Sequence, residues 1–182
     1  MKKDKMLITG GCGFIGSHFT DFQMHYKDME VIVVDKLTYA SNIDYLPGDA
    51  KLIKKDINDL TYDDIGEIQY CVNFAAESHV DNSIDDGSPF VKTNINGTFH
   101  LLELCRKMKK FKKFVQISTD EVYGDITEPS IETDVLRPSS YYSATKAASD
   151  QLVFAAGKTY NLPYLITRSC NNYGKRQHEE KF

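Results

Sequence analysis

Apolar positions in this chain fall in short β-branched runs that alternate with longer stretches of helical period. Residues 6–9 read as a short buried strand and residues 14–26 as a helix. Residues 30–35 (EVIVVD) are nearly all β-branched, as a parallel strand covered on both faces requires. Residues 51–54, 70–74, 113–118 and 164–167 supply four further strands. One long helix is expected at 89–109, between the fourth and fifth strands, and another at 140–160, between the fifth and sixth. This alternation predicts an α/β fold, a doubly wound parallel sheet of the Rossmann type. Right-handed crossovers give its six strands the order 3-2-1-4-5-6.

Composition narrows the picture. At 182 residues and 41% hydrophobic, the chain suffices for one domain with a sizeable core. A net charge of −4 speaks against a nucleic-acid binder. Cys12, Cys71, Cys105 and Cys170 are widely spaced and form no CxxC pair, so they read as free thiols in a reducing compartment, with no metal site. The apolar run after the charged start ends at Thr9, too soon for a signal peptide, and nothing approaches the ~20 apolar residues of a membrane span. A cytoplasmic location is the resulting expectation. The basic run at 106–113 reads as a solvated helix C-terminus whose cations complement the helix dipole.

Candidate chemistry begins where the first strand meets the first helix. Gly10, Gly13 and Gly16 are spaced G-x-x-G-x-x-G, between the strand and helix that a pyrophosphate-binding turn needs. The pyrophosphate would sit on the helix N-terminus, where unpaired N–H groups point at it. Asp35 closes the second strand and can accept both adenosine ribose hydroxyls while repelling a 2′-phosphate. Lys36 follows directly and is the feature that speaks for that phosphate; the balance favours NAD over NADP.

Tyr142 and Lys146 stand four apart, which puts both on one helix face. An ammonium beside a phenol favours phenolate, lowering its pKa from near 10 and fitting the tyrosine to act as a base. Ser118 and Thr119 end the fifth strand, at the carboxyl edge of the sheet where ligands bind in such folds. A hydroxyl there can hydrogen-bond the oxygen that Tyr142 deprotonates.

Together the glycine loop, Asp35, Ser118-Thr119 and Tyr142/Lys146 resemble the extended short-chain dehydrogenase/reductase family. Three segments narrow the likeness: Ala75-Ala76-Glu77-Ser78-His79-Val80-Asp81, Ser118-Thr119-Asp120-Glu121-Val122-Tyr123-Gly124 and Asn171-Asn172-Tyr173-Gly174. These are similar to the NAD-dependent dTDP-glucose 4,6-dehydratases, over essentially the whole chain. The resemblance implies oxidation at sugar C4, elimination of water across C5 and C6, and return of the hydride to C6. The elimination needs a base and an acid, which two carboxyl groups in different environments can supply at one pH. The family pattern implies Glu121 as the C5 base and Asp120 as the C6 acid; the residues themselves leave that assignment open. A 4-epimerase has no use for such a pair. UDP-sugar 4-epimerase, UDP-glucuronate decarboxylase, another nucleotide-sugar dehydratase or an inactive NAD-binding fragment are the alternatives.

The same resemblance implies that Phe14, Ile15, Asp35, Lys36, Leu37, Thr38, Asp56, Ile57, Ala75, Ala76, Thr93 and Asn172 surround NAD, with Tyr142 and Lys146 beside it. Ser78, Thr119, Asn171 and Lys181 would touch the nucleotide sugar, and His79 and Asp81 would shape their loop. Two departures fall nearby: Ser169-Cys170 reverses the family's Cys-Ser order, and Lys175-Arg176 replaces a Pro-aromatic pair. Family members continue into a C-terminal domain for the sugar nucleotide. Residues 1–182 are therefore expected to form the NAD-binding domain with the catalytic residues, that second domain being missing, and to turn over sugar nucleotide poorly. By analogy, the helices at 89–109 and 140–160 would form a homodimer interface.

Overall fold

The computed structural model describes residues 3–26 and 28–178. Six parallel strands form one sheet: β1 (Asp4–Thr9), β2 (Met29–Asp35), β3 (Lys51–Lys54), β4 (Tyr70–Asn73), β5 (Lys113–Thr119) and β6 (Tyr164–Ser169). Their order is β3-β2-β1-β4-β5-β6, as the alternation predicted. Each strand sits within a residue or two of its expected place; β1 and β6 gain two residues at one end.

Strand side chains alternate between two cores, the period of two made physical. Leu7, Ile32, Val34, Cys71 and Phe114 face one layer, where Leu101, Leu102 and Val153 of the helices meet them. Met6, Ile8, Val31, Val33 and Val72 face the other, against Phe19 and Met24 of helix α1 (Phe14–Tyr26). Short helices α2 (Tyr62–Ile65), α3 (Val80–Asp85) and α4 (Ser88–Phe90) follow along the connections.

The expected helix at 89–109 is interrupted and ends early. After α4, residues Val91–Gly97 form a π segment, and α-helical turns resume only in α5 (Thr98–Cys105). The wider turn carries the buried Asn94, whose side chain binds Glu77 and Thr145 of neighbouring elements. Because α5 stops at Cys105, the basic run at 106–113 begins at the helix C-cap, as expected, and continues beyond it into the connection to β5. Arg106 caps the helix and lies over the Tyr160 ring, Met108 and Phe111 turn into the core, and Lys112 pairs with Asp4. The last helix, α6 (Tyr141–Tyr160), begins one residue later than expected. Ser140 is its N-cap, with a reciprocal bond to Ser143.

Candidate active site

Parallel strands end together, so the loops after β1, β2, β4, β5 and β6 gather along one edge of the sheet. They enclose a cleft of about 670 Å³. The floor is the turn from β1 into α1. Gly10 has φ +67°, and a Cβ there would stand 2.7 Å from the backbone nitrogen of Ala75; one at Gly16 would stand 2.2 Å from the Gly10 carbonyl oxygen. The backbone therefore passes close to both neighbouring segments, leaving the N-terminus of the 13-residue α1 open to the cleft.

Asp35 is buried at the end of β2. Its Oδ2 accepts the Cys12 N–H at 2.9 Å and its Oδ1 the Leu37 N–H at 2.8 Å, fixing the carboxylate at the cleft edge. Burial, and then the charge of Asp35, push the Cys12 thiol up to about 12, so it stays neutral. Gly10, Gly13, Phe14, Ile15, Gly16, Asp35, Lys36, Thr38, Asp56, Ile57, Ala75, Ala76, Thr93 and Asn172 line the cleft together. Leu37 does not. Its φ of 58° swings the side chain toward the core cluster of Met6 and Ile8 instead. Ser78 and Asn171 line the same cleft, and Lys181 lies outside the described residues. His79 does shape its loop: its Nδ1 accepts the Asn82 N–H as the cap of α3.

The opposite wall comes from β5 and α6. Thr119, Glu121, Tyr142 and Lys146 all line it. Thr119 caps the one-turn 3-10 helix Asp120–Tyr123, its hydroxyl accepting the Glu121 N–H at 3.2 Å. That turn separates the acidic pair: Glu121 faces the cleft, while Asp120 is exposed and off its wall.

The expected lowering of the Tyr142 pKa is reversed. Burial raises it to about 12, Glu121 and Asp120 add to the rise, and a hydrogen bond with Thr119 offsets only part of it. Lys146 has lost most of its contact with water, and this burial brings its amine down to about 8, with Asp150 acting the other way. Its Nζ donates to the Ile117 carbonyl at 2.6 Å. One helical turn beyond Lys146, Asp150 is fully buried and pairs with Arg168 Nε at 2.9 Å; Arg168 also donates to the Tyr123 hydroxyl at 2.7 Å. This cluster ties β6 and α6 to the turn that carries Glu121.

Beneath the cleft a buried chain of hydrogen bonds joins its two sides. Thr9 donates to Asn73, Asn73 to Gln116, Gln116 to Ser149, and Ser149 to the carbonyl of Lys146, over distances of 2.6–3.3 Å. The cleft also holds residues the sequence reading did not place there, among them Tyr39, Lys55, Ser169, Gln177 and His178. Ser169 closes β6 and the others sit in loops without hydrophobic period, so no local signal marks them. Glu77 was within reach, inside the Ala-Ala-Glu-Ser segment.

A family model described as GDP-mannose 4,6 dehydratase matches residues 7–182. The chain is 47% identical, over 97% of its length, to the low-salt glycan biosynthesis protein Agl12 of Haloferax volcanii, spanning 59% of that protein. It is 44% identical, over 97% of its length, to the dTDP-glucose 4,6-dehydratase of Haemophilus influenzae, spanning 58% of it. Among solved structures, the dTDP-glucose 4,6-dehydratase DesIV of Streptomyces venezuelae, with NAD and TYD bound, superposes with a TM-score of 0.91 at 42% identity, covering 97% of this chain and 58% of that one. A UDP-glucose 4-epimerase of Thermus thermophilus in complex with NAD gives 0.88 at 30% identity, with coverages of 97% and 59%.

Proposed function

The chain belongs to the family described as GDP-mannose 4,6 dehydratase, and from that premise we propose that it binds NAD in the cleft and carries the catalytic residues of a dTDP-glucose 4,6-dehydratase. One observation carries this reading: the glycine turn and the group Thr119, Glu121, Tyr142 and Lys146 meet on the walls of a single cleft.

The residues present fit a dinucleotide. A turn whose Gly10 and Gly16 leave no room for a Cβ leads into a helix N-terminus, and a fixed carboxylate stands at the end of β2, where an adenosine ribose would need it. When bound, NAD would accept hydride from sugar C4 and return it to C6. Tyr142 takes the proton of the 4-hydroxyl, with Thr119 holding the same oxygen. Lys146 supplies positive charge from the next turn of α6. Glu121, on the cleft wall, removes the C5 proton; Asp120, which lies off that wall on the same turn, is the acid that the family pattern implies for the departing C6 hydroxyl. The presence of Glu121 in the cleft is what favours a dehydratase over a 4-epimerase, which needs no such carboxylate.

No helix among the described residues is long and apolar enough to cross a membrane. The rest of the reading is a cytoplasmic homodimer. Val91, Phe99 and Phe154 are exposed on the outer helices, where a second copy would cover them. Light scattering at micromolar concentration then gives twice the chain mass.

Calorimetric titration with NAD, followed by incubation with dTDP-glucose, tests the main reading. Dehydration is read by mass for loss of water and by the alkaline absorbance of the 4-keto product. The chain alone is expected to bind NAD and to dehydrate the sugar slowly or not at all. Fused to the C-terminal part of the Haemophilus influenzae relative, it is expected to turn over. Absence of NAD binding, or a fused protein that binds NAD yet only epimerises a UDP-sugar, would sink the reading.

A further inference from the structure

Lys36 is the residue that fits the cofactor reading least. A cation directly after the acid at the end of β2 stands where it could neutralise a 2′-phosphate beside the ribose site of Asp35. Its ammonium is engaged elsewhere. Nζ reaches past the end of β1 to the loop after β4, 2.7 Å from Glu77 Oε1, with Thr93 Oγ1 at 3.3 Å. Both partners of this ion pair line the cleft. The pair is only partly open to solvent, at 33% and 19% side-chain exposure, so water screens it less than a surface pair.

Glu77 is well fixed for this purpose. Its N–H donates to Asn94 Oδ1 at 2.9 Å, and its carbonyl accepts from Asn94 Nδ2 at 3.0 Å. The π segment thus holds the backbone of residue 77 independently of its side chain. The other lysines on the cleft walls are occupied as well: Lys55 binds Asp64 at 2.7 Å, and Lys146 binds the Ile117 carbonyl. We propose that Glu77 is a specificity-determining residue. By drawing Lys36 away from the ribose end, it leaves a 2′-phosphate facing Asp35 without a cation and so makes the cleft select NAD over NADP.

This inference rests on the dinucleotide reading above, and the experiment separates the two. NAD and NADP are titrated calorimetrically into the wild-type chain and into Glu77→Ala, Lys36→Met and the double variant. Because Asn94 grips only the backbone of residue 77, Glu77→Ala is expected to fold, which thermal melting checks. The wild type is expected to prefer NAD. Glu77→Ala is expected to narrow that preference roughly tenfold, the worth of one charge-assisted phosphate contact. Adding Lys36→Met should restore it. An unchanged preference in Glu77→Ala overturns the proposal. So does a double variant that keeps the NADP gain, since removal of negative charge alone would then explain it. A wild type that binds neither dinucleotide overturns the underlying reading.

Discussion

The two sides of the cleft are built on different physics. The floor, where β1 turns into α1, is held by excluded volume: Gly10 and Gly16 let three pieces of backbone approach more closely than any Cβ allows. The far wall, formed by α6 with the ends of β5 and β6, is held by charge out of water. Lys146, Asp150 and Arg168 are all withdrawn from solvent there, and each is paired. A steric floor should fail in the same way at any pH. A wall of buried charge should fail or recover as its groups gain and lose protons.

Breaking the wall is expected to give the largest effect. Arg168→Met leaves Asp150 buried without its partner and should cost about 3–5 kcal/mol in urea unfolding. Burial already raises the Asp150 pKa, against the pull of Arg168. Without that arginine, the folded state binds a proton more tightly than the unfolded one. The loss should therefore shrink as pH falls and grow as pH rises through the folded value. A loss independent of pH would remove the contrast drawn above.

Gly16→Ala tests the floor. Its methyl would meet the Gly10 carbonyl, and overpacking of this kind costs about 1–3 kcal/mol. Unfolding at several pH values near neutrality should show the same loss throughout, and NAD titration should show no binding.

Lys146→Met sharpens the comparison. The folded pKa is depressed to about 8 from 10.5, so between those values the unfolded state holds more protons. Lys146 then makes wild-type stability rise with pH across that window, by up to about 1.4 kcal/mol per pH unit. The variant should lose that rise, which unfolding curves at pH 8 to 10 would reveal. The smallest effect belongs to a charge outside the cleft. Lys112→Ala breaks an exposed pair with Asp4 and should leave the melting temperature unchanged within error. A large shift there would mean that charge matters regardless of burial.

What the sequence made legible follows the same division. Strands buried on both faces must be continuous apolar runs, so β2 stood out, and the alternation of strand and helix made the order of the whole sheet readable from the pattern. The glycine turn was legible because its requirement is local, a spacing between one strand and one helix. The wall was legible only as residue types. The Tyr142/Lys146 spacing placed both on one side of α6. Nothing local told that Lys146 would spend a bond on Ile117 or that Glu121 would raise the tyrosine it was expected to assist. Those outcomes depend on how β5 and the turn after it pack against α6, contacts made between residues well separated along the chain, Ile117 with Lys146 and Glu121 with Tyr142. The break in the helix near Val91 was hidden for a similar reason. Its residues keep a helical period, while the partners that hold Asn94 within it, Glu77 and Thr145, lie elsewhere in the fold.

That π segment has a genetic consequence. A π turn is what an α-helix becomes when it accommodates one extra residue. Loss of a single codon between Val91 and Gly97 would be an in-frame change that restores regular helix on both sides. The downstream helix would keep roughly its present face, because the wide turn already absorbs the extra residue, and only the local bulge that presents Asn94 would be lost. Such an allele would keep its helix and its sheet but carry Asn94 away from Glu77. It would be a length variant, silent in any survey of point substitutions, that unpins one lip of the cleft.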